Sequence, residues 1–92
     1  MPKARLHAMV HGRVQGVGFR YWVVEQAQRL DLTGWVRNRP GREVEVLAEG
    51  ERVDLEQLLE RLKDGPLMAR VTDVDADWSE YRGDFDRFGV TW

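Results

Sequence analysis

Residues 11–22 read HGRVQGVGFRYW, with Gly12, Gly16 and Gly18 inside seven residues and Arg20 two positions after the last of them. Glycine concentrates where a backbone turns sharply or comes close to a ligand. Here Gly12, Gly16 and Gly18 free the chain to curl, so that successive N–H groups point into one concavity, a nest suited to an oxyanion. A helix beginning near Phe19 adds its own unpaired N–H groups and a partial charge of roughly +0.5, where a cation costs about 0.3–1 kcal/mol. Arg20 stands in that unfavourable place. A bound phosphate or carboxylate reverses the sign, because a guanidinium grips two oxygens alongside the amides. The stretch predicts an anion pocket. It is not a Walker P-loop, since no Lys-Ser/Thr follows the glycines, and it does not match the GxGxxG dinucleotide fingerprint.

Blander readings stand beside these. Arg20 also reads as a surface arginine whose stem lies on Tyr21 or Trp22, Gln15 as a loop-stiffening side chain, and Arg13 as a solvated cation. Asn38, before Arg39-Pro40, reads as a turn residue. His7 and His11 are four apart, but on a strand that is roughly 13 Å, so a two-histidine metal site is not expected. Asp73, Asp75 and Asp77 alternate with Val74 and Ala76 as the exposed face of a strand, and Glu25 faces solvent.

The elements that would position these groups follow from periodicity. ARLHAMVH, residues 4–11, puts Leu6, Ala8 and Val10 on one strand face. Phe19, Trp22, Val23, Gln26, Ala27 and Leu30 form one helical stripe, closed by the Asp31–Gly34 stretch. TGWVRN and EVEVLAE, joined through Pro40-Gly41, read as a hairpin with Val44, Val46 and Ala48 opposed to Glu43, Glu45, Leu47 and Glu49. A second helix spans about Arg52 to Asp64 with Leu55, Leu58, Leu59 and Leu62 inward, and Gly65-Pro66 stops it. ARVTDVDADW alternates again, and RFGVTW, with Phe88, Val90 and Trp92 in phase, forms a short terminal strand whose tryptophan is expected to pack. The order β-α-β-β-α-β is the α+β, ferredoxin-like split βαβ arrangement, an antiparallel sheet with two helices on one face.

That topology brings the first and second strands to the same sheet edge with the third between them, about two strand spacings or roughly 10 Å apart. The glycine loop leaves the end of the first strand, and Arg37-Asn38 end the second. Arg20 and the Asn38 carboxamide should then border one shallow depression, provided that Asn38, in parity with Val36, points to the helix side.

Composition narrows the classes. Ninety-two residues make one domain. Cysteine is absent, so neither a disulfide nor a thiolate nucleophile is available. Fourteen basic against sixteen acidic residues give 14 − 16 = −2, which argues against nucleic-acid binding by overall charge. The opening MPKARLHAMV has no long apolar run, so neither a secretory signal nor a membrane span is expected and the cytoplasm is the default compartment.

GRVQGVGFR, then GWVRN after a helix, then VEVLAEG, resembles the acylphosphatases over nearly the whole chain, in order and spacing. The resemblance implies a small hydrolase that splits carboxylic–phosphoric anhydrides without metal, cofactor or covalent intermediate. It implies that Arg20 binds the substrate phosphate, that Asn38 orients the attacking water, and that Gln15, Gly16, Val17, Gly18 and Phe19 form the backbone cradle. Small acyl phosphates are the implied substrates, inorganic phosphate or sulfate competing anions, and a monomer the expected state, with no nucleic-acid or membrane partner. The chain departs from the family where Asp-Gly is common after the asparagine: it reads Pro40-Gly41-Arg42, and Arg39 stands where some members have threonine. Two other classes are weighed. The same domain resembles the amino-terminal part of larger hydrogenase-maturation proteins handling carbamoyl phosphate. The topology also occurs in RNA-recognition domains, but the sheet-face aromatic signature and basic face of those domains are missing.

Overall fold

The computed structural model describes residues 2–92. Strand β1 (Lys3–Arg13) leads through the glycine loop into helix α1 (Phe19–Arg29), followed by β2 (Thr33–Asn38), β3 (Val44–Glu51), helix α2 (Arg52–Asp64), β4 (Arg70–Glu80) and β5 (Phe88–Val90). The five strands lie in the order β4-β1-β3-β2-β5. β3 sits between β1 and β2 and runs antiparallel to both, so the ends of β1 and β2 reach one edge. The expected all-antiparallel sheet needs one correction: β5 pairs parallel with β2. The chain leaves β4 at the edge where β2 begins, crosses that edge, and enters β5 in the direction of β2.

Alternation decides the core. Leu6, Ala8 and Val10 of β1, Val36 of β2, and Val44, Val46 and Ala48 of β3 are wholly buried beneath the helices. α1 contributes Phe19, Val23 and Ala27, and α2 contributes Leu55, Leu58 and Leu62. Each such leucine stabilises the fold by roughly 1.5–3 kcal/mol through apolar burial. Gln26, the polar member of the α1 stripe, is buried because its Oε1 accepts a 3.0 Å bond from Arg61 Nη1 of α2. A buried amide thus ties the two helices at one register.

The open face of the sheet departs from simple alternation. Glu45 and Glu49, grouped with the outward residues of β3, are both buried. Glu49 is covered by the segment after β4: the amides of Arg82, Gly83 and Asp84 donate to its carboxylate at 2.8, 3.1 and 3.2 Å. Arg5 Nε adds a fourth bond at 3.0 Å. The terminal residue also differs from expectation. β5 ends at Val90, and Trp92 is 92% exposed rather than packed. Ala76 is exposed despite its parity, on β4, whose outer edge pairs with no strand among the described residues.

Candidate functional site

The glycine loop occupies residues 14–18, between β1 and α1. Its glycines serve different ends. Gly16 and Gly18 have φ of 75° and 78°, and a Cβ at either would meet nothing within 4 Å, so they supply left-handed backbone rather than space. Gly12 lies inside β1, not in the loop. A Cβ there would overlap the carbonyl oxygen of Arg70, at the irregularity where β1 and β4 shift register between His11 and Gly12. Its role is close strand approach, a correction to its place in the curled segment.

Gly18 starts α1 without a side-chain cap, and the first turn holds no acidic residue. No well-formed hydrogen bond among the described residues takes up the N–H groups of Gly16, Val17, Gly18, Phe19 or Arg20. Phe19 is 1% exposed and its ring packs at 5.5 Å on Trp22, so only its backbone is offered to the loop. Val17 packs against the core. Half-buried Arg20 has its guanidinium carbon 5.9 Å from the centre of the Tyr21 ring and 5.8 Å from that of Trp92. Among the described residues it makes no hydrogen bond or ion pair. Two aromatic rings, not a carboxylate, flank this cation.

Asn38 closes β2 in parity with the wholly buried Val36, which places it on the helix side. Its neighbours are drawn the other way by one carboxylate on the open face. Glu45 Oε1 accepts from Arg37 Nε at 2.7 Å and lies 3.7 Å from Arg39 Nε, while Oε2 is 2.6 Å from His7 Nε2. Burial, the largest influence, pushes the Glu45 carboxyl up. The bonds from His7 and Arg37 outweigh it and hold the group below its ordinary value. Asn38 Oδ1 is buried and has no donor among the described residues. Buried acceptors are rarely left unpaired, so this oxygen is suited to an O–H from a bound molecule.

The side chain of Gln15 reaches out of the loop. Its Nε2 donates to the carbonyl oxygens of Arg39 and Glu43, both at 2.8 Å, and so bolts the glycine loop to the base of the β2–β3 hairpin. It stiffens the loop through the hairpin, not through the loop's own backbone. No local signal reveals such a contact, because its partners lie 24 and 28 residues on. His7 and His11 have separate acidic partners, Glu45 and Asp75. Among the described residues no three His, Asp or Glu side chains are grouped to hold a metal ion.

The family model described as Acylphosphatase matches residues 6–90. The chain belongs to the acylphosphatase family. An acylphosphatase of Mycobacterium sp. (strain KMS) is 52% identical over 81 residues, covering 88% of this chain and 86% of that one. The crystal structure of acylphosphatase from Bacillus subtilis superposes with a TM-score of 0.93 at 39% identity, covering 97% of this chain and 99% of that chain. A third likeness is partial: full-length HypF in a phosphate- and nucleotide-bound form matches all of this chain at 25% identity and a TM-score of 0.85, over 12% of its own length. The chain thus matches acylphosphatases over most of both chains and the larger protein over only a small part of its length. No helix among the described residues is long and apolar enough to cross a membrane.

Proposed function

We propose that this acylphosphatase hydrolyses small acyl phosphates by direct attack of water on phosphorus, with Arg20 and the loop amides holding the phosphate and Asn38 placing the water. One observation carries the reading: Arg20 stands half-buried at an uncapped, acid-free helix start, with no anionic partner among the described residues. A cation on the positive end of a helix is disfavoured until an anion joins it. Phosphate oxygens satisfy the guanidinium and the amides of Gly16, Gly18 and Phe19 together.

The chemistry needs few groups. The leaving group is a carboxylate, whose conjugate acid has a pKa near about 4–5, so it departs at neutral pH without a proton donor. Phosphoryl transfer has a loose transition state with charge on the equatorial oxygens, which positioning and fixed donors stabilise. Asn38 offers a buried acceptor to a water O–H and fixes that water in line with the P–O bond that breaks. The attacking oxygen bonds to phosphorus as the acyl oxygen leaves with the electron pair, and the water's protons end on phosphate or in solvent. Among the described residues no carboxylate is bonded to Arg20 or Asn38, and with so good a leaving group a base is not required. The reading is of a cytoplasmic monomer acting without cofactor.

Purified protein with benzoyl phosphate or acetyl phosphate at neutral pH, with and without a strong chelator, tests this. Hydrolysis that survives chelation is expected. Asn38→Ala should lose turnover while inorganic phosphate still binds. Intact substrate, or hydrolysis abolished by the chelator and restored by a metal, would overturn the reading.

A further inference from the structure

The molecule has a second cationic feature that phosphate capture does not use. A cavity of about 450 Å³ opens between the end of β1 and the tip of the β2–β3 hairpin, lined by Gly12, Arg13, Val14, Gln15 and Arg42. Gln15 belongs to both places, since it closes this cavity and begins the loop that carries Gly16 and Gly18. The cavity is therefore adjacent to the phosphate nest along the chain.

Its two arginines are free. Arg13 and Arg42 are exposed, and neither makes a hydrogen bond through its side chain or an ion pair among the described residues. Arg39, the third arginine of this end, is instead drawn toward Glu45. The only carboxylate at the hairpin tip, that of Glu43, folds over Gly41, where it would lie 2.5 Å from a Cβ at that position. It does not line the cavity. Arg42 is also held in an unusual backbone state. The turn closed by Arg42 N–H to Arg39 O gives the left-handed conformation to Arg42, with φ 77°, and not to Gly41 beside it. A non-glycine residue there costs about 1–2 kcal/mol, and such strain clusters where a side chain must be aimed.

We propose that this cavity is a subsite for a second anionic group on the substrate, a carboxylate or phosphate on the acyl portion, and that Arg13 and Arg42 select substrates bearing one. The inference rests on the acyl phosphate reading above. The reacting phosphate occupies the amide nest with Arg20, and the acyl chain runs past Gln15 toward the two arginines. A guanidinium pair facing a solvated anion contributes modestly, about 0.2–1 kcal/mol for each exposed contact. Two contacts make the preference about two- to thirtyfold. The contribution is electrostatic and weakens with salt.

Two substrates of equal length separate charge from size: succinyl phosphate, with a terminal carboxylate, and butyryl phosphate, without one. The ratio of their kcat/KM values is measured in the wild type at low and high salt, then in Arg13→Gln and Arg42→Asn. Asparagine tolerates the left-handed backbone, so the second variant keeps the turn. The proposal expects a ratio well above one at low salt, falling with salt, and moving toward one in each variant. A wild-type ratio near one, or a high ratio that both variants retain, overturns the subsite while acyl phosphate hydrolysis itself stands. Hydrolysis of neither substrate takes down the proposed function and this inference with it.

Discussion

Replacing Glu49 by alanine should cost about 3 kcal/mol of stability at neutral pH, and the loss should shrink in acid. Glu49 is wholly buried on the open face of the sheet, where Arg5 and the amides of Arg82, Gly83 and Asp84 all donate to it. Removing one partner of a buried charge pair costs about 3–5 kcal/mol. The low end applies because Arg5 keeps a second contact, Nη2 to Asp84 Oδ2 at 2.7 Å, and the amides belong to exposed residues that water can reach. Burial pushes the Glu49 carboxyl up most strongly of any single influence. The hydrogen bonds from Arg82, Arg5 and Asp84, with the Arg5 charge, more than offset it and hold the group below 4.5. A carboxyl depressed in the folded state binds its proton more weakly there than in the unfolded chain. Its contribution is therefore complete above about 4.5 and is lost as pH falls through the folded value. Urea unfolding followed by tryptophan fluorescence, for wild type and Glu49→Ala at pH 7 and at stepwise lower pH, measures both effects. With a typical urea dependence of about 1–3 kcal/mol per molar, the midpoint at pH 7 should fall by about 1–3 M. A loss under about 1 kcal/mol, or a gap that stays constant below pH 4.5, would refute this reasoning.

Other expectations use the same geometry. Gly12→Ala should destabilise by about 2–5 kcal/mol, since its Cβ would strike the Arg70 backbone at φ 123°, whereas Gly16→Ala, in open space, should cost only about 1–2 kcal/mol; thermal unfolding of the pair checks the contrast. Gln15→Ala removes two bonds to the hairpin and should cost about 1–3 kcal/mol in the same measurement. Trp92→Ala should leave stability within about 0.5 kcal/mol, because the ring is exposed, yet weaken competitive inhibition by phosphate about two- to fivefold through the lost contact with Arg20. An unchanged inhibition constant would mean that Trp92 does not help to hold the guanidinium.

Much of this fold is legible because it is periodic. Leu6, Ala8 and Val10 alternate, the α1 stripe repeats at helical spacing, and the strand order follows from two crossovers that must place β3 between β1 and β2. The side chosen by Asn38 is legible too, as it follows parity from Val36. What escapes such reading depends on chain that returns from far away. Glu49 looks like a solvated residue until the Arg82–Asp84 segment folds over it, 33 to 35 residues later. Gln15 looks like loop filler until the hairpin arrives beneath its amide. Pro40-Gly41 marks the hairpin turn, but its positive φ falls on Arg42, which no turn signal in the sequence singles out. Trp92 keeps the phase of β5 but lies beyond the strand's last pair, so phase alone does not bury it.

The most direct measurement is a titration of the folded enzyme with inorganic phosphate, followed residue by residue through its amide NMR signals. The account predicts saturable shifts at the backbone N–H groups of Gly16 to Arg20 and at the Asn38 side-chain amide, and their loss in Arg20→Ala. Shifts confined to other surfaces, or an Arg20→Ala protein that responds like the wild type, would contradict it.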